Sequence, residues 1–145
     1  MAPFFRAVLI ASATILALTA APAMAATMKF TAVLTAAAET PPTASTASGK
    51  ADVTFDTVSK MLSWTASYKG LTGKATAAHF HGPAAVGAKA GPVVPIKGDL
   101  SSPIMGTATL TDKQATDLEA GMWYFNVHSA KYPDGEIRGQ VLMTK

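Results

Sequence analysis

The sequence predicts an all-β fold, an antiparallel sandwich of about seven or eight strands with one short helix. Three observations carry that expectation. Short runs rich in β-branched and aromatic residues recur along the chain, each followed by a turn-forming break. One of those runs alternates cleanly between apolar and polar side chains, the period of a half-buried strand. Only one stretch, after Thr111, carries the signature of a helix start.

The elements follow in order. Met28 to Thr35 is a first strand, and Glu39-Thr40-Pro41-Pro42-Thr43 an extended connector whose prolines have no N–H for a ladder. Ala51 to Phe55 and Met61 to Tyr68 form a hairpin around Asp56-Thr57-Val58-Ser59. In its second arm Leu62, Trp64, Ala66 and Tyr68 share one side and Ser63, Thr65 and Ser67 the other. After the Gly70 to Gly73 break, Ala75 to His81 is the next strand. Gly82 to Asp99, rich in glycine and proline, is a long loop holding a short strand at Val93 to Ile96. Gly106 to Leu110 is strand-like. Thr111 then caps a helix from Asp112 to Glu119, with Gln114 completing a capping box and Gly121 ending the helix. Met122 to His128 and Glu136 to Met143 are the last strands, joined through Pro133-Asp134-Gly135.

Residues 1–25 read as a secretory signal. Arg6 supplies the positive start, and Ala7 to Ala20 an uncharged apolar stretch. As a helix that stretch reaches only about 21 Å, short of a hydrocarbon core of about 30 Å. Pro22 and the small-x-small triplet Ala23-Met24-Ala25 place cleavage after Ala25. Residues 26–145 are then one periplasmic or secreted domain with no membrane span. The chain has no cysteine, so that domain is held by its core or by a bound ion rather than by disulfides. Losing Arg6 takes the formal charge from +3 to +2, with lysines scattered singly, so nucleic acid is not an expected partner.

The chain has three histidines. His79 and His81 flank Phe80 on one strand, so both imidazoles face one side and Phe80 the other. At about 3.3 Å rise per residue they stand about 6.6 Å apart, close enough to converge on one ion. His128 lies on the strand Met122 to His128. Pairing of the two strands would gather three neutral imidazoles, a ligand set suited to copper or zinc. Met122, about 20 Å along the strand from His128, cannot join them. Asn126, Glu39 or water could complete or orient the shell. Glu136 and Arg138 share a strand face and read as a structural ion pair. No cysteine nucleophile, Gly-x-Ser-x-Gly elbow or phosphate-binding glycine loop is present, so a binding protein is favoured over an enzyme.

Four blocks together resemble the CHRD (chordin-type) domain across Phe30 to Leu142. They are Glu39-Thr40-Pro41-Pro42, Ala78-His79-Phe80-His81-Gly82-Pro83, Asn126-Val127-His128-Ser129, and Pro133-Asp134-Gly135-Glu136-Ile137-Arg138-Gly139-Gln140. The resemblance implies an immunoglobulin-like β-sandwich, and the chain is most similar to the single-domain form exported by bacteria. It supplies no catalytic residue. The His-x-His strand also resembles the copper arm of copper–zinc superoxide dismutases, but this chain lacks the histidines for a two-metal site and any disulfide.

Three functions follow as expectations. The first is a metal site for copper or zinc built from His79, His81 and His128. The second is an extracytoplasmic interaction or structural module without metal, contacting an unidentified protein partner through the Gly82 to Asp99 loop. The third, ranked below both, is a copper-dependent superoxide-type redox enzyme.

Overall fold

A computed structural model describes residues 24–144. Of the expected signal segment, residues 1–23 lie outside the described residues. The elements are β1 (Thr27–Thr35), β2 (Ser48–Asp56), β3 (Met61–Lys69), β4 (Ala75–His81), β5 (Pro92–Pro95), β6 (Ile104–Thr109), α1 (Asp112–Glu119), β7 (Trp123–Ser129) and β8 (Ile137–Met143). Each expected strand and the helix is present, with ends shifted by a few residues at most. Among the described residues no helix is long and apolar enough to cross a membrane.

The arrangement of the strands differs from the expected sandwich. All eight lie in one antiparallel sheet, in the order β5-β4-β7-β8-β1-β2-β3-β6. The sheet coils into a nearly closed barrel whose two edges are β5 and β6. Trp64 of β3 and Phe80 of β4 stand far apart in strand order, yet their rings meet edge-on at 5.3 Å. Inward and outward residues alternate identically in a sandwich and a barrel, so the sequence pattern does not distinguish them.

Close backbone approach permits the coiling. A Cβ on Gly139 of β8 would lie 2.7 Å from the carbonyl carbon of Val33 in β1. One on Gly49 of β2 would lie 2.6 Å from the carbonyl oxygen of Ser67 in β3. Inside, Phe30, Phe55, Leu62, Phe80, Trp123 and Phe125 are sealed from solvent. Each such side chain contributes about 1.5–3 kcal/mol on burial, which replaces the missing disulfides. Helix α1 begins with the predicted reciprocal cap: Thr111 Oγ1 accepts from the Gln114 N–H and Gln114 Oε1 from the Thr111 N–H. It buries Ala115 and Leu118 against the core and gives way to Gly121, whose φ is +70°.

Every residue of β7 is buried. Trp123, Phe125 and Val127 face the core, which accounts for one side of the strand. The other side carries Tyr124, Asn126 and His128, buried although polar. The loop from Gly82 to Gly91 and the turn between β7 and β8 reach over them, with Ala90 meeting Tyr124 and Pro133 meeting His128. β7 is thus buried on both faces and carries polar groups on its outer one.

Candidate metal centre

β4 delivers two histidines to that outer face. Phe80 between them is fully buried and packs edge-on against Trp64 at 5.3 Å and Phe125 at 4.9 Å. With Phe80 anchored inward, the strand period turns His79 and His81 outward. β4 pairs antiparallel with β7, setting His79 opposite Asn126, His81 opposite Tyr124 and Ala77 opposite His128. The pairing on which a three-histidine cluster depends is therefore present, and His128 sits diagonally beside His79.

One nitrogen from each of His79, His81 and His128 lies within 4.8 Å of the other two. His79 Nδ1 and His128 Nε2 are 3.1 Å apart. Two nitrogens on one tetrahedral ion, with bonds of about 2.0–2.1 Å, stand about 3.3 Å apart, so this pair is spaced as ligands are.

The surrounding carbonyls decide which nitrogens offer lone pairs. His128 Nδ1 is 2.8 Å from the Pro133 carbonyl oxygen, and His81 Nδ1 is 2.9 Å from that of Ala90. A carbonyl only accepts, so both Nδ1 atoms donate, and in the neutral rings both Nε2 atoms carry a lone pair. Both Nε2 atoms face Asn126 Oδ1, at 2.9 Å from His81 and 3.0 Å from His128. Three acceptors thus converge where the only neighbouring imidazole N–H is that of His79. Turning the Asn126 amide over would instead set its NH2 donors against both Nε2 lone pairs and its oxygen on the Gly135 side, where Nδ2 now lies. Asn126 Nδ2 lies 3.0 Å and Glu39 Cδ 2.9 Å from the place a Cβ at Gly135 would occupy. With Oδ1 toward the imidazoles, the amide completes a cluster of lone pairs that a cation would satisfy.

The protonation equilibria point the same way. Burial holds the His79 imidazole below the usual histidine range, helped by repulsion from His128 and His81. Burial does the same for His81, against the hydrogen bonds that favour its charged form. Both rings are neutral near pH 7, as metal ligands must be.

The structure brings Asn126 into the cluster but keeps Glu39 outside it. Glu39 is buried, its Oε2 3.6 Å from Arg138 Nε, and its Oε1 has no hydrogen-bond partner among the described residues. It borders a cleft of about 310 Å³ shared with His81, His128 and Asn126, without a hydrogen bond to any imidazole. Burial raises its pKa above the ordinary carboxylate value even though Arg138 pulls the other way. Gly135, at φ +128°, must be glycine, because any side chain there would strike Glu39 and Asn126.

The expected ion pair between Glu136 and Arg138 does not form. Arg138 pairs with Glu39 and donates to the carbonyls of Ala38 and Ala88 and to Thr40 Oγ1. Glu136 is saturated by the hydroxyls of Ser45, Thr72 and Ser129 and by the Thr72 N–H. Desolvation would raise its pKa, but those bonds outweigh it and hold the carboxyl below its usual range. Strand alternation alone could not foresee this, because β8 begins at Ile137 and Glu136 lies just outside it.

Sequence reasoning also missed Tyr124 and the carbonyls of Ala90 and Pro133, which orient two of the imidazoles. The Pro133-Asp134-Gly135 turn was the available signal, since it returns the chain toward His128. No curated protein and no solved structure matches the chain significantly. The CHRD domain matches residues 30–141, a span containing all three histidines, Glu39, Asn126, Glu136 and Arg138. That match covers most of the chain, and the chain belongs to the CHRD domain family.

Proposed function

We propose that this CHRD domain binds a transition-metal ion, copper or zinc, outside the cytoplasm. His79, His81 and His128 are the ligands, and Asn126 Oδ1 is the nearest fourth donor. The observation that carries the reading is the gathering of one nitrogen from each of His79, His81 and His128 within 4.8 Å of one another, with the tautomers of His81 and His128 set by backbone carbonyls. Carbonyls behind ligating imidazoles are the usual means of orienting them and raising their basicity. Imidazole suits both metals, and the site offers no thiolate to favour one of them. The role is binding rather than catalysis, in a single-domain bacterial exported form processed after Ala25, residing in the periplasm or beyond it.

Calorimetric titration of the purified protein with copper(II) and zinc(II), beside a His79→Ala/His81→Ala variant, tests the reading. Stoichiometric binding lost in the variant is the expected result. Absence of binding by the intact protein would retire the site. Mass spectrometry of the exported protein tests the processing, with an N-terminus at Ala26 expected and one at Met1 contradicting it.

A second reading has one observation in its favour. His79, His128, Asn126 and His81 form a continuous chain of close polar contacts that links the two strands. On that reading the histidines knit β4 to β7, and the domain is an interaction module. Substituting any of them would then lower stability equally with and without metal.

A further inference from the structure

Tyr124 stands directly opposite His81 across the β4–β7 ladder, and the two rings are stacked, 4.7 Å apart and 2° from parallel. β8 flanks β7 on its other side and places the Arg138 guanidinium 4.4 Å from the same phenol ring. The phenol O–H donates to the Ala90 carbonyl at 3.1 Å, and the Ala90 N–H donates back to the phenol oxygen at 3.3 Å. His81 Nδ1–H donates to that same carbonyl at 2.9 Å. One backbone unit therefore receives hydrogen bonds from both members of the stack.

We infer that Tyr124 is a positioning residue of the ion site: it fixes the plane of His81 by stacking and by sharing the Ala90 carbonyl, and so ties the ion to the loop from Gly82 to Gly91. This rests on the metal reading above. An imidazole free to turn about its side-chain torsions loses that freedom on binding an ion, whereas one already clamped loses little. Metal on Nε2 also draws electron density from the ring, making Nδ1–H a stronger donor to Ala90. The loop is well placed to respond. Its middle is exposed, and it is held by Thr40 at Gly87, Arg138 at Ala88, and His81 and Tyr124 at Ala90.

The test uses zinc(II) affinity, the copper(II) electron paramagnetic resonance spectrum and amide hydrogen exchange, on the wild type, Tyr124→Phe and Tyr124→Leu. Removing the stack and the hydroxyl together in Tyr124→Leu lowers affinity about 10–100-fold, the usual cost of losing an outer-shell partner, and alters the copper spectrum. Tyr124→Phe keeps the stack and restores most of the affinity and the wild-type spectrum. Zinc slows exchange at the Ala90 amide in the wild type but not in Tyr124→Phe, which lacks the oxygen that amide donates to. Wild-type affinity and spectrum in Tyr124→Leu would overturn the inference while leaving the metal site standing. If Tyr124→Leu does not fold, Tyr124→Phe decides: zinc-dependent slowing at Ala90 equal to that of the wild type overturns the inference. A wild-type protein that binds neither metal removes both the inference and the reading beneath it.

Discussion

Replacing His128 with alanine separates the two roles that the imidazole plays. In the ion-free protein it donates from Nδ1 to the Pro133 carbonyl, and it is 7% exposed. Truncation strands that carbonyl and opens a void, at a cost of about 1–3 kcal/mol. For a domain of this size that lowers Tm by about 3–12 °C. The second role shows only with metal. Zinc at a hundred times its Kd adds about 2.7 kcal/mol to the stability of a protein that binds it only when folded. That corresponds to a rise in Tm of roughly 10 °C. His128→Ala, deprived of a ligand, loses that increment at the same zinc concentration. Thermal unfolding followed by circular dichroism, at several zinc concentrations, measures both quantities in one series. A variant whose Tm climbs with zinc in parallel with the wild type would refute the assignment of His128 as a ligand, whatever its stability without metal.

Acid should release the ion, because protons compete for the same lone pairs; zinc(II) titrations repeated at falling pH check it by a falling affinity. The lowered pKa values of His79 and His81 make the ion-free protein lose stability as pH falls from the unfolded histidine value toward their folded values, since the unfolded chain takes up protons first; denaturant titrations across that range check the slope. Glu136→Gln replaces an acceptor of four hydrogen bonds with a group that must turn an NH2 toward hydroxyls and an N–H, costing about 2–4 kcal/mol by urea unfolding. The folded pKa of Glu136 is lowered, so its contribution is present above the ordinary carboxylate value and fades as pH falls through the folded one; a wild-type acid limb in Glu136→Gln would contradict this. Gly139→Ala drives a methyl into the Val33 backbone and should cost about 3 kcal/mol or prevent folding, and soluble, wild-type stability would show that β1 and β8 tolerate separation.

The order and position of the elements were legible in the sequence because strands, turns and the α1 cap depend on neighbouring residues. The alternation in Met61 to Tyr68, the Asp56 to Ser59 turn and the Thr111–Gln114 box each act over a few positions. The same local rule predicted that His79 and His81 share a face, and the antiparallel pairing then supplied His128. What the local rules could not supply was which strands become neighbours. A single coiled sheet and a two-layer sandwich demand the same inward and outward residues, and the choice lies in long-range pairing of β1 with both β2 and β8.

The site divides along the same line. Histidine, asparagine and glutamate at fixed spacings announced a polar cluster by themselves. The tertiary structure alone decided that Arg138 takes Glu39 rather than Glu136, that Tyr124 stacks on His81, and that two carbonyls point the Nε2 lone pairs inward. Those are contacts between segments remote in sequence, and their partners include backbone atoms that every residue possesses. Side-chain identity and period are written in the chain, whereas the direction of a lone pair is determined only when distant segments close around it.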